Sequence, residues 1–148
     1  MKIYFGSDHG GFNLKQLLVH YFGVKRGLDM EDVGGKKLDP KDDYPQFAQL
    51  AASKLIGDNE PDSRAILVCR GGQGMAMAAN RYKGIRAAVC WDENSAKKSR
   101  EDNDSNVLCL PADILSVDEA KDIVHVWLRT PFSRASRHQR RIQEIDDL

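Results

Sequence analysis

Cys69 ends an apolar run, AILVC (Ala65–Cys69), and three of the next five residues, Gly71, Gly72 and Gly74, are glycines. A thiolate can abstract a proton, but a free cysteine has a pKa of about 8.5, so it needs electrostatic help at neutral pH. A glycine-rich turn from a strand into a helix supplies that help. Its backbone N–H groups converge on one small volume, and the helix start adds partial positive charge. Such a volume suits a phosphate, or an oxyanion that forms during a reaction. Arg70 places a cation next to the thiol. The segment is not a P-loop, because no Lys-Ser/Thr pair follows its last glycine, and its glycines do not keep the G-x-G-x-x-G spacing of a dinucleotide site. A tight turn that only packs a helix on a strand would use the same residues, and the segment alone leaves both readings open.

Three other segments carry chemistry. In SDHGG (Ser7–Gly11), Asp8 and His9 follow the first apolar run. A histidine there donates to a phosphate or sugar hydroxyl, or moves a proton. Ser7 or Asp8 can also cap a helix beginning near Gly11; His9 has no capping role, which favours function. RTPFSRASRHQRR (Arg129–Arg141) holds five arginines and His138. At helical spacing Arg134, Arg137, His138 and Arg141 share a face, and arginine forks match phosphate oxygens, although a solvated charged face would look alike. In REDNDSNV (Arg100–Val107), Asn103 can hold a hydroxyl and Asp102 can accept a proton, while the bland reading is a loop of Asx turns.

The elements that must position these residues follow from periodicity. Strands are expected at Lys2–Phe5, Asp29–Val33, Ala65–Cys69, Ala87–Cys90 and Asn106–Leu110. Helices are expected at Phe12–Phe22, Tyr44–Ile56, Met75–Asn80, Asn94–Glu101, Val117–Leu128 and Ser133–Ile145. The apolar faces are Phe12, Leu17, Leu18 and Phe22 in the first helix, Phe47, Leu50, Ala51 and Leu55 in the second, and Val117, Ala120, Val124 and Trp127 in the fifth. Strands alternating with helices give an α/β fold with a five-stranded parallel sheet covered on both faces. Ligands in such folds sit beyond the carboxyl ends of the strands, where SDHGG, CRGGQG and WDENS (Trp91–Ser95) fall. At 148 residues the chain makes one domain, 1–148, with a basic C-terminal helix within 132–148.

Formal net charge is zero, which disfavours nucleic acid and acidic membrane surfaces as partners. No apolar stretch approaches the ~20 residues of a membrane helix, and MKIYFGSDHG turns polar too soon for a secretory signal, so a cytoplasmic protein is expected. The three cysteines, Cys69, Cys90 and Cys109, lack metal-like spacing; Cys90 and Cys109 read as small core residues.

These pieces together resemble the type B ribose-5-phosphate isomerases and their galactose-6-phosphate isomerase relatives. The resemblance runs from KIYFGSDHGG to RHQRR. SDHGGFNLK, DYP (Asp43–Pro45), ILVCRGGQG with AANRYKGIRAAVC, the Ser99–Leu108 segment and RHQRR (Arg137–Arg141) carry it. It implies a Rossmann-like three-layer α/β/α subunit in a homodimer or dimer of dimers, with active sites shared between chains and neither metal nor organic cofactor. The implied reaction interconverts an aldose and a ketose phosphate through a 1,2-enediolate. Cys69 matches the base that moves the proton between C1 and C2; a second branch uses a glutamate where this chain has Met75. The amides of Gly71, Gly72 and Gly74 would steady the enediolate oxygen. Arg137 and Arg141 match phosphate ligands, His9 and His138 line the site, and Asp8 and Asn103 match holders of sugar hydroxyls. Three departures stand out. Arg70 and Gly71 replace a glycine and a threonine, Asp102 replaces a histidine, and Asp113 replaces an arginine. The threonine and histidine are assigned to ring opening in the family, so Asp102 either takes over as ring-opening base or marks another substrate, and Arg70 stands in for the lost cation. Ribose 5-phosphate leads as substrate. The alternatives are a six-carbon sugar phosphate (galactose or allose 6-phosphate) and a non-catalytic sugar-phosphate binder.

Overall fold

The apolar runs become five parallel strands: β1 (Ile3–Ser7), β2 (Met30–Gly34), β3 (Arg64–Cys69), β4 (Ala87–Val89) and β5 (Val107–Pro111). The structure is a computed structural model and describes residues 1–148. Sheet order is β2-β1-β3-β5-β4. The three inner strands are buried at every residue, which is why they read as unbroken apolar runs rather than alternating ones. Six α-helices connect and cover them: α1 (Phe12–Val19), α2 (Tyr44–Gly57), α3 (Gln73–Ala79), α4 (Glu93–Asn103), α5 (Val117–Arg129) and α6 (Ser136–Asp146).

The two faces of the sheet have separate cores. Leu14 and Leu18 of α1, Ala96 of α4 and Ile123, Val124 and Trp127 of α5 pack on Ile3, Phe5, Ile66, Val68, Leu108 and Leu110. Ala48, Ala51 and Ala52 of α2 and Met75 and Ala79 of α3 pack on Tyr4, Ala65, Leu67 and Cys109. From β1 the chain crosses outward to β2, whereas from β3 it crosses the other way to β4. The neighbours β1 and β3 therefore form the switch point, where the following loops diverge and leave a crevice.

Several expected boundaries and faces are corrected. In α1, Lys15 is buried and Leu17 is half exposed, because the Lys15 ammonium is used inside: it reaches both oxygens of Asp32 at 2.7 Å and the carbonyls of Gly34 and Gly35 at 2.8 and 2.9 Å. The expected helix to Phe22 changes to a wider π-helical turn over His20–Lys25. In α2 Leu50 faces solvent and Ala48 and Ala52 face the sheet, since a close helix–sheet approach favours small residues. The third helix starts at Gln73, directly after Gly72 at φ 72. The fourth extends to Asn103, so Asp102 and Asn103 lie in a helical turn and not in a loop. The last helix starts at Ser136, because Arg134 takes a left-handed φ of 57 and ends any helix there. Arg134 therefore does not share the helical face of Arg137, His138 and Arg141.

Candidate active site

The first half of the site is made at the switch point, almost entirely by backbone. Register sets Ser7 beside Val68, so the turns after β1 and β3 leave the sheet side by side. They are close enough that a Cβ on Gly11 would fall on the Val68 carbonyl, and glycine alone allows that approach. A Cβ on Gly10 would lie 2.6 Å from the Arg70 Cγ, so the Arg70 side chain lies across the SDHGG turn. Arg70 also meets Asp113 at 3.7 Å, both largely exposed. The chain thus pairs an arginine at 70 with an acid at 113.

Cys69 ends β3 and is 5% exposed. The Gly72 N–H donates to its Sγ at 3.2 Å. The next N–H groups open α3 and lack intrahelical acceptors, as in any first helical turn. Gly74 leaves room for the Tyr44 ring, which would stand 2.7 Å from a Cβ there. Cys90 and Cys109 are ordinary core thiols: burial pushes Cys90 up to about 11 and raises Cys109 well above its usual value. Asp8 accepts from the Gly11 N–H at 3.1 Å, which closes the turn before α1; the helix N-cap is Gly11 without a side-chain cap bond, so the expected capping by Ser7 or Asp8 is corrected. His9 gives its backbone N–H and its ring Nδ1 to one oxygen of Asp42, at 2.9 and 2.7 Å. That hydrogen bond, helped by the charges of Asp8 and Asp42 and opposed by partial burial and Arg70, raises the His9 pKa. Ligand atoms of Asp8, His9 and Asp42 lie within 4.8 Å of one another, but Asp42 and His9 Nδ1 satisfy each other, and Asp8 is engaged at its turn. A metal would have to break these bonds.

The remaining expected site residues lie at the opposite end of the strands and are held by side chains. Helix α4 ends with Asp104 in a left-handed conformation at φ 46, and the Asp104 N–H returns to the Arg100 carbonyl at 3.1 Å, an αL-type stop. Arg86 caps the last carbonyls, donating from Nε to Asn103 at 3.2 Å and to Asp104 at 3.1 Å. It also pairs with Asp146 of α6 at 3.1 Å. Arg100 is buried and pairs with Asp104 at 2.8 Å. The Ser133 N–H binds the Glu101 carbonyl at 3.2 Å, and its Oγ meets His138 Nδ1 at 2.9 Å. His138, itself buried, then turns Nε2 to Asp102 at 3.7 Å. Arg137 and Arg141 are exposed on α6 with no carboxylate in salt-bridge range. A cavity of about 490 Å³ opens here, lined by Tyr82, Arg86, Asn103, Ile145 and Asp146 among others.

The two groups of expected site residues are therefore not together in one chain. Along β5, Val107 lies beside Ala65 and Pro111 beside Cys69, a span of about 13 Å at the usual strand rise. Asn103 precedes Val107 at the base. Asp8, His9, Cys69, Arg70 and the glycines occupy one end; Asp102, Asn103, Arg137, His138 and Arg141 occupy the other.

Comparison with known proteins decides what frame this geometry belongs to. The Ribose/Galactose Isomerase family model matches residues 3–145. The chain belongs to that family. As a ribose/galactose isomerase it is an aldose–ketose isomerase, and its relatives agree along most of their length. It is 40% identical over 144 residues to ribose-5-phosphate isomerase B of Escherichia coli, covering 97% of this chain and 93% of that one. It is 39% identical over 142 residues to the Mycolicibacterium paratuberculosis protein of the same name, covering 96% and 87%. A ribose 5-phosphate isomerase structure from Thermotoga maritima superposes with a TM-score of 0.93 at 39% identity, covering 99% and 98%. The Mycoplasma genitalium ribose-5-phosphate isomerase B structure, with bound ribulose-5-phosphate, gives 0.91 at 36% identity, covering 99% and 94%. No helix of this isomerase is long and apolar enough to cross a membrane.

Sequence reasoning missed Asp42, Lys15, Arg86 and Ser133, which hold the candidate site residues from behind. Lys15 sits in the SDHGGFNLK motif, and its place on the apolar face of α1 was the available signal. Asp42 sits in a charged run, KKLDPKDD, that reads as solvated loop.

Proposed function

We propose that the protein interconverts ribose 5-phosphate and ribulose 5-phosphate, with Cys69 as the base. The observation that carries this reading is the Gly72 N–H on the Cys69 sulfur at 3.2 Å, at a turn whose further N–H groups are free. A thiolate there takes the C2 proton of the open-chain aldose. The C2–H electrons form the C1–C2 double bond of the enediolate, and the O1 charge meets the amides of Gly71 and Gly74, the Gly72 N–H being engaged by the sulfur. Return of the proton to C1, with transfer of the O2 proton, gives the ketose. A relative holding ribulose-5-phosphate supports the substrate.

The proposal places each site between two chains. The thiol end of one supplies Cys69, Asp8, His9 and Arg70, and the base end of a second supplies Asp102, Asn103, Arg137, His138 and Arg141. Unpaired Arg137 and Arg141 then meet the phosphate, and Asp102, adjacent to His138, replaces the ring-opening histidine. A second copy would also cover the exposed Met77, Trp91 and Ile145.

The test mixes two inactive variants, Cys69→Ala and the double variant Arg137→Ala/Arg141→Ala. With shared sites, about a quarter of wild-type activity returns on reassortment, because half the dimers are mixed and each has one intact site of two. No recovery after proven subunit exchange rejects shared sites. Solvent-deuterium exchange with ribose, allose and galactose phosphates names the sugar; binding without exchange marks a non-catalytic binder.

A further inference from the structure

The segment between β2 and α2 brings a buried carboxylate to the thiol end. It leaves the sheet through Gly35 at φ 62 and enters α2 at Tyr44. Lys15 clamps its first residues through the carbonyls of Gly34 and Gly35. Near its end, the Asp39 carboxylate accepts from Lys41 N–H at 3.0 Å, and Asp42 N–H donates to the Asp39 carbonyl at 3.1 Å. Asp42 is thus held by local turns at one side and a helix start at the other. Its side chain is only 8% exposed, while that of His9 is 29% exposed.

One oxygen of Asp42 accepts both the backbone N–H and the ring Nδ1–H of His9. The first bond fixes where the His9 main chain lies; the second fixes how its ring turns and which nitrogen carries the hydrogen. With Nδ1 committed, Nε2 is the atom left for the open side. Three charged groups face this ring: Asp42 from the segment before α2, Asp8 from the turn after β1, and Arg70 from the turn after β3. The carboxylates favour the imidazolium and Arg70 opposes it. A histidine serving only as packing would need no buried carboxylate on its Nδ1.

We propose that Asp42 is a positioning residue for the isomerase: it holds His9 so that an Nε2–H faces the open side of the thiol end and donates to an anionic oxygen of the bound sugar phosphate. This rests on the sugar-phosphate reading above. Asp42 does not touch the substrate and acts through the imidazole. The sign of the pH effect follows. A group with a raised pKa keeps its proton, and here its donor, below the ordinary histidine value and loses it as pH rises through the raised one. A phosphate monoester loses its second proton near a pH of about 6. KM is therefore lowest between that ionisation and the deprotonation of His9, and rises above it.

The test compares wild type, Asp42→Asn, Asp42→Ala and both changes in a His9→Gln background. The readouts are the His9 imidazole titration by NMR in the ligand-free full chain, and KM and kcat for ribose 5-phosphate against pH. Asp42→Asn keeps an acceptor and removes the charge, so the His9 titration moves to lower pH and the rising limb of KM moves with it. Asp42→Ala raises KM about tenfold near neutrality, as for one lost hydrogen bond to a charged group, with a smaller loss in kcat. In the His9→Gln background Asp42→Ala adds only a much smaller rise, from the backbone N–H bond that both backgrounds share. A wild-type-like His9 titration in Asp42→Asn overturns the inference, as does an equal rise in KM with or without His9. A wild type that neither binds nor isomerises ribose 5-phosphate, while Asp42→Asn still shifts His9, overturns the sugar-phosphate reading and the substrate-facing role together.

Discussion

The two ends of the sheet place their candidate site residues by different means. At the thiol end the positions of Cys69, His9 and the glycines follow from strand register and from turns packed directly on each other. At the base end, Asp102, Asn103 and His138 are placed by long side chains, Arg86 and Arg100 above all, that reach back to helix carbonyls and carboxylates. Backbone placement is exact but intolerant of an added atom. Side-chain placement absorbs small changes and depends instead on a few buried charges.

The largest effect should come from Cys69→Ala. General acid–base catalysis is worth about 10²–10⁴-fold, so kcat should fall by at least about a hundredfold while calorimetry still detects sugar-phosphate binding; full turnover would remove the thiol from the mechanism. Next come the buried cations. Lys15→Met leaves Asp32 without its cation, and Arg100→Met takes one of the two cations of Asp104 and a donor from the Ser105 carbonyl; each should cost about 3–5 kcal/mol in denaturant unfolding. If only Arg100→Met is costly, the claim that Lys15 anchors the thiol end fails. The smallest pair reverses sign between the halves. Gly72→Ala forces a side chain onto a left-handed backbone at φ 72 and should destabilise by about 1–2 kcal/mol. Arg134→Gly relieves the same kind of conformation at φ 57 and should stabilise by a similar amount, of about 1 kcal/mol. Equal signs for the two would refute the strain assigned at one of them.

The contrast also explains what could be read from the chain. The thiol end was legible because its parts are contiguous: SDHGG and CRGGQG each follow a strand, and parallel topology sets them side by side. The sheet itself was legible from apolar runs, to within a residue or two at most ends. The base end was harder. Asp102 and Asn103 belong to a helix whose last turn depends on Arg86, sixteen or more residues earlier, and polarity alone suggests a loop there. Arg134 breaks helical spacing through a backbone angle that its residue type does not favour. Lys15 and Leu17 exchanged their expected faces, since a buried ammonium with four oxygen partners outweighs the pattern.

The strand-long separation between Cys69 and Arg141 has a consequence for any cell or assay holding this protein in small amounts. If neither end works alone, the working species is the pair, and its population follows mass action. Specific activity then falls on dilution below the dissociation constant of the pair, and substrate that bridges the two chains pulls them back together. With shared sites, the rate law contains the concentration of the protein twice.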